Sequence, residues 1–207
     1  MAINVEFLFD FGSPNAYLSH LVIPRIEART GVKFKYVPVL LGGVFKATNN
    51  VSPAVSLQGI KNKPHYTQLE TRRFLKEHGI TDYAPNPFFP VNTLTIMRGA
   101  VFAQREGFFE KYVDAVYRHM WAQPKKMDDP AVITTALMES GLNAEAILSG
   151  TQQPEVKQQL IANVDDAVAR GVFGSPSFFV GTELYFGKDR LRDVEEEIQR
   201  QLKGAGK

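Results

Sequence analysis

Apolar positions near the start of the chain fall on alternate residues. Val5, Phe7 and Phe9 alternate with Glu6, Leu8 and Asp10, which predicts a first strand buried mainly on one face. Gly12 then turns the chain and Ser13-Pro14 opens a helix. Serine is a good helix cap, and proline is tolerated at the first helical position because its missing N–H would be unpaired there anyway. Tyr17, Leu18, Leu21, Val22 and Ile26 recur at helical spacing, Pro24 predicts a kink within them, and Gly31 predicts the end. Phe34, Tyr36, Val37, Val39 and Leu40 predict a second strand, parallel to the first by the right-handed crossover rule. From Gly42 to Pro64 the chain is polar and irregular and reads as a long loop, and long loops in compact proteins often carry function.

From about His65 to about Arg170 the period is helical. Tyr66, Leu69, Phe74 and Leu75 mark one helix, and Leu94, Met97, Ala100, Val101 and Phe102 mark another. Phe109, Val113, Val116, Tyr117 and Met120 mark a third, and further helices are predicted over Pro130 to Ser140 and Pro154 to Arg170. Strand character returns at Ser177-Phe178-Phe179-Val180, turns at Gly181-Thr182, and resumes at Leu184-Tyr185-Phe186. Leu191, Val194, Ile198 and Leu202 predict a closing amphipathic helix. The order β-α-β, helical block, β-hairpin, α predicts an α/β protein: a thioredoxin-like fold interrupted by a large all-helical insertion. The thioredoxin-like part is expected to span 1–64 and 171–207, and the insertion 65–170.

Composition narrows the chemistry. With 44% hydrophobic and 22% charged residues, the chain belongs with ordinary globular proteins, not disordered or fibrous ones. A net charge of +2 without a dense basic run argues against a nucleic-acid partner. No apolar stretch approaches the ~20 residues that span a bilayer, so no membrane partner is expected. The opening Met1-Ala2-Ile3-Asn4 lacks the pattern of a signal peptide, and a cytoplasmic location is the expectation. The chain contains no cysteine, which removes disulfides, thiolate metal sites and cysteine nucleophiles together. Any thiol chemistry must use a thiol brought by a ligand. His20, His65, His78 and His119 lack ligand spacing, so no metal site is expected.

Three segments are candidates for chemistry. At Ser13 a strand runs into a helix N-terminus, where free N–H groups and the positive end of the helix dipole stabilise an anionic sulfur. Ser13 either donates a hydrogen bond to such a sulfur or only caps its helix. At Ser175-Pro176, just before a strand, a cis peptide would turn the Ser175 backbone N–H and C=O outward to pair with an extended peptide-like ligand; a trans loop proline is the alternative. At Phe186-Gly187-Lys188-Asp189-Arg190 a tight turn enters the last helix, and Asp189 is placed either as its cap or to hold an ammonium group. A γ-glutamyl tripeptide, with a thiol, an extended backbone and an ammonium-carboxylate end, matches the three segments in turn.

The chain resembles the 2-hydroxychromene-2-carboxylate isomerase family and its relatives, the kappa-class glutathione transferases, within the DsbA-like thioredoxin-fold superfamily. The resemblance spans nearly the whole length. It rests on Phe9-Asp10-Phe11-Gly12-Ser13-Pro14, Val172-Phe173-Gly174-Ser175-Pro176 and Phe186-Gly187-Lys188-Asp189-Arg190. Phe89-Pro90-Val91-Asn92-Thr93 and Met120-Trp121 followed by Asp128-Asp129-Pro130 look like further family segments. The resemblance implies glutathione as a catalytic cofactor and Ser13 as the active-site serine that holds its sulfur as thiolate. It implies a glutathione-binding set of Ser13, Asn15, Asn50, Lys63, Ser175, Pro176, Lys188, Asp189 and Arg190. It also implies a homodimer and a small aromatic substrate, whose chromene ring opens and whose double bond rotates to give a benzylidenepyruvate. Trp121, Phe88, Phe89 and Tyr83 either wall a pocket for that substrate or belong to the core.

Two other readings remain at this level. A kappa-like transferase or peroxidase would use the same thiolate site but consume glutathione. A non-catalytic thioredoxin-fold protein would hold an extended peptide on the proline loop and ignore glutathione.

Overall fold

The computed structural model describes residues 3–205. Its opening elements are β1 (Val5–Phe9), α1 (Pro14–Thr30) and β2 (Phe34–Pro38). Then come α2 (Leu41–Ala47), α3 (Pro53–Ser56), α4 (Lys63–Glu77), α5 (Leu94–Glu106) and α6 (Phe109–Tyr117). A π-helical turn over Arg118–Ala122 leads to α7 (Pro130–Glu139), α8 (Ala144–Gly150) and α9 (Pro154–Ala169). The chain closes with β3 (Ser177–Val180), β4 (Glu183–Phe186), a 3-10 turn (Lys188–Arg190) and α10 (Leu191–Ala205).

The four strands lie in the order β2-β1-β3-β4. β1 runs parallel to β2, with Val5 opposite Phe34 and Phe9 opposite Pro38, as the crossover rule requires. β3 is antiparallel to both neighbours, with Leu8 opposite Ser177 and Ser177 opposite Phe186.

Because β1 is a central strand, it is buried on both faces and not mainly on one. Val5, Phe7 and Phe9 join the larger core with α1, α5 and α6, including Ile23, Met97 and Tyr117. Leu8 points the other way, into a smaller core with Val39, Val44, Val164, Ala167 and Phe179. Glu6 shares the Leu8 face by alternation and is also buried, because Arg170 reaches its carboxylate at 2.6 Å and Lys35 at 3.5 Å. The Arg170 guanidinium lies 3.8 Å above the Phe179 ring, so its stem and fork cover this face.

α1 begins at Pro14, capped by Ser13, and ends where Gly31 adopts φ 71° and donates its N–H to the Glu27 carbonyl. It runs without interruption through the exposed Pro24. The expected loop from Gly42 to Pro64 instead holds α2, α3 and the start of α4. The Gly42-Gly43 pair conceals α2 from a propensity reading. Packing explains Gly43, since a Cβ there would lie 3.3 Å from Val164 Cγ1 on α9, whereas a Cβ on Gly42 would meet nothing within 4 Å. α8 was absent from the expected elements; Asn143 caps it through a bond from the Ala146 N–H at 3.1 Å. In α4 only Phe74 is buried, and Tyr66, expected to mark its apolar face, is 50% exposed. No helix among the described residues is long and apolar enough to cross a membrane.

Candidate active site at the start of the first helix

The turn from β1 to α1 is held from three sides. The buried Asp10 carboxylate accepts the Gly12 N–H at 2.8 Å through one oxygen and the Leu41 N–H at 2.8 Å through the other. Burial pushes its pKa up, against hydrogen bonds from Leu41, Gly12 and Thr93 that pull it down. The Phe11 N–H meets Met97 Sδ at 3.4 Å, and the Trp121 indole donates to the Phe11 carbonyl at 2.7 Å. The π-helical turn after α6 brings Trp121 to this position. Glycine at position 12 follows from crowding: a Cβ there would stand 3.1 Å from Thr93 Cγ2 and 3.3 Å from Asp10 Oδ1.

Ser13 is buried at this turn. Its Oγ accepts the Ala16 N–H at 3.1 Å, which makes it the helix cap, and donates to the Ser175 carbonyl at 3.0 Å. These partners are backbone groups, with no acid or base among them, so Ser13 is arranged as a hydrogen-bond donor and not as an activated alkoxide. The first turn of α1 itself carries no acidic residue, and the Asp10 carboxylate lies behind it, on the Gly12 N–H of the preceding turn. Asn15 lies exposed on that first turn. One turn further on, the Tyr17 hydroxyl donates to the Asp82 carbonyl at 3.0 Å; burial, with help from Asp82, pushes its pKa up to about 12. Tyr17 is therefore protonated at neutral pH and is no base.

The Ser175-Pro176 peptide is cis. Ser175 is bound to the β1–α1 turn through its side chain as well as its carbonyl: Oγ accepts the Asp10 N–H at 3.2 Å and donates to the Leu8 carbonyl at 3.3 Å. The carbonyl thus faces Ser13, not outward as a free strand edge would. Pro176 passes its carbonyl to the Gly187 N–H at 2.9 Å, tying the proline loop to the last turn. Asn50 joins from the other side, donating from its side-chain amide to the Phe173 carbonyl at 2.9 Å.

In the last turn Lys188 is buried over the Phe74 ring at 4.7 Å and ion-paired with Asp189, whose own side chain is 70% exposed. Asp189 sits inside the 3-10 turn and is not a helix cap. Arg190 is exposed and pairs with Asp193 at 3.0 Å. The segments around Ser13, Asn50, Ser175-Pro176 and Gly187–Arg190 are therefore linked by direct bonds or packing. Lys63 stands apart: it opens α4, exposed, with its ammonium 6.0 Å from the Tyr66 ring centre.

Beside the Ser13 turn, aromatic rings follow one another. Tyr17 stacks with Tyr83 at 6.5 Å, Tyr83 with Trp121 at 6.4 Å, and Phe89 lies 6.0 Å from Trp121. Tyr17 and Trp121 are buried, whereas Phe88 and Phe89 are 48% and 40% exposed. Sequence reasoning missed Asp10, Thr93 and Met97 as supports of the site. The alternation rule marked Asp10 only as the polar position after Phe9, although a carboxylate next to a buried turn is itself a signal.

Comparison with known proteins agrees with this fold. The DSBA-like thioredoxin domain family model matches residues 4–199. The 2-hydroxychromene-2-carboxylate isomerase of Pseudomonas putida is 28% identical over 199 residues, covering 95% of this chain and 94% of the relative. Human glutathione S-transferase kappa 1 is 25% identical over 201 residues, covering 90% and 87%. The solved structure of a 2-hydroxychromene-2-carboxylate isomerase superposes with TM-score 0.82 at 25% identity, covering 98% of this chain and 97% of that one. With its sheet order, cis-proline loop and serine-led first helix, the chain belongs to the DSBA-like thioredoxin domain family.

Proposed function

We propose that the protein is a glutathione-dependent isomerase that interconverts 2-hydroxychromene-2-carboxylate and trans-o-hydroxybenzylidenepyruvate, or a related aromatic-degradation intermediate. The observation that carries this reading is the Ser13 hydroxyl, held as a donor at an α-helix start with no acidic residue in its first turn. That arrangement fits a bound thiolate, and the relatives named isomerase add the reaction. Glutathione, when bound, supplies a thiolate that adds reversibly to a conjugated carbon and lets a double bond rotate.

The chain's own residues have separable tasks in this reading. Ser13 exchanges its Ser175 partner for the sulfur, and the end of α1 offsets the sulfur's charge. Ser175 and Pro176 align the tripeptide backbone, with Asn15 and Asn50 around it and the exposed Lys63 side chain reaching toward it from the start of α4. Lys188, Asp189 and Arg190 hold the γ-glutamyl end. Tyr83 and Phe89, with Phe88, form the wall against which a small aromatic substrate lies, and the buried Trp121 packs behind them. The thioredoxin-like part, 1–64 and 171–207, thus carries the cofactor, and the 65–170 insertion supplies the aromatic wall. The exposed Val51, Val55, Ile60 and Tyr66 are the surface that a second copy covers in a cytoplasmic homodimer.

The test is turnover of the chromene carboxylate with glutathione far below substrate. Many product molecules per glutathione are expected. Stoichiometric loss of glutathione into a conjugate would instead establish the kappa-like transferase activity that the relatives of that name favour.

A further inference from the structure

A half-open groove of about 340 Å³ runs between α2, α5 and α9. Two of its residues are sequence neighbours of residues that touch the Ser13 turn: Leu40 precedes Leu41, whose N–H binds Asp10, and Leu94 follows Thr93, which packs on Gly12. With Leu160 and Val164 these leucines make apolar walls. The charge on the groove is lopsided. Lys46, Arg98 and Lys157 come from three different helices, against the single acid Asp165 among the lining residues.

The three cations are unpaired among the described residues. Among the described residues, none reaches a carboxylate oxygen within 4.0 Å. Arg98 and Lys157 are also half-buried, so water compensates them only in part. The Arg98 Nε is fully buried and makes no hydrogen bond. Being closed to solvent, that nitrogen is out of reach of a ligand in the groove, so the parts of the guanidinium that line the groove are the ones an anionic oxygen can meet, and such an oxygen is the acceptor that satisfies a guanidinium best. The fork of Arg98 suits the two oxygens of a carboxylate, and the apolar walls suit a hydrocarbon body. The volume lies at the small end of the range for ligand sites.

We infer that this groove is a binding site for a small amphipathic carboxylate, with its apolar body on Leu40, Leu94 and Leu160 and its carboxylate on Arg98 and Lys157. The groove shares no residue with the proposed glutathione set, so the inference does not depend on that reading.

Calorimetric titration of the whole protein with 2-naphthoate tests it. Saturable binding is expected, unchanged by saturating glutathione, and the neutral analogue 2-naphthylmethanol should bind at least about tenfold more weakly. Arg98→Gln and Lys157→Gln should each weaken naphthoate by about tenfold or more, with unchanged far-ultraviolet circular dichroism. The partly exposed Lys157 serves alone if the Arg98 variant does not fold. Equal affinity for acid and alcohol, wild-type affinity in the folded variants, competition by glutathione, or no saturable binding would each overturn the site. A separate glutathione titration reports on the proposed catalytic site whatever the outcome here.

Discussion

Ser13→Ala separates the two roles of this serine. The structure gives Ser13 two hydrogen bonds, one accepted from the Ala16 N–H and one donated to the Ser175 carbonyl. Loss of the cap costs about 1 kcal/mol, and loss of the buried donor about another 1 kcal/mol. For a chain of this size the melting temperature should fall by about 4–8 °C. The functional effect is a different quantity. A hydrogen bond to a charged group contributes about 1.5–3 kcal/mol, so its removal should raise the bound-thiol pKa by about 1–2 units. The assay follows thiolate absorbance in the ultraviolet during a pH titration of the glutathione complex, beside thermal melts. Ser13→Asn is the control: asparagine caps as well as serine, so the cap's share of the loss, about 1 kcal/mol, should recover. Turnover in Ser13→Ala should fall while glutathione affinity stays nearly constant. A lowered melting temperature with an unchanged thiolate titration and unchanged rate would reduce Ser13 to a helix cap and refute the proposed chemistry.

Asp189→Ala should weaken glutathione binding while leaving the rate at saturating glutathione near wild type; a pure loss of turnover at saturation would remove Asp189 from the binding role. Gly12→Ala should destabilise by about 1–3 kcal/mol, because the new methyl group meets Thr93 Cγ2 at 3.1 Å and Asp10 Oδ1 at 3.3 Å. Thr93→Ser in the same chain should restore part of that loss in denaturant melts, and no recovery would place the strain elsewhere. His119 is buried against Ser140 Oγ at 3.0 Å, and burial, with Lys125 nearby, holds its pKa below 6.5. As pH falls below 6.5, the unfolded chain takes the proton first, so His119's contribution to stability falls with pH until the lower folded pKa is passed. His119→Gln should flatten the decline in melting temperature between about pH 7 and about pH 5, and an identical slope would contradict the assignment.

Much of the architecture is legible in the residues themselves. The alternation of Val5, Phe7 and Phe9, the Ser13-Pro14 start, the stop at Gly31 and the Gly181-Thr182 turn all mark elements within a residue or two of their observed bounds. Such signals are local: a cap, a left-handed glycine or a two-residue period acts through neighbours in sequence. α2 was hidden because Gly42-Gly43 is poor helix material, and its helix is maintained by the approach of α9 at Val164. The burial of Glu6 was equally invisible, since it depends on Arg170, far along the chain.

The site divides along the same line. Residue order alone determined that a serine opens the first helix, that a Ser-Pro step precedes a strand, and that no cysteine is present to serve as nucleophile. Tertiary structure decided that the Ser13 hydroxyl faces the Ser175 carbonyl, that Asp10 ties Gly12 to Leu41, and that Trp121 reaches the Phe11 carbonyl. It also decided that Arg98, Lys46 and Lys157 surround one groove. The reason is the range of the forces involved. Capping and periodicity are fixed within a few residues, whereas burial and the choice of hydrogen-bond partner arise only when distant segments exclude water together.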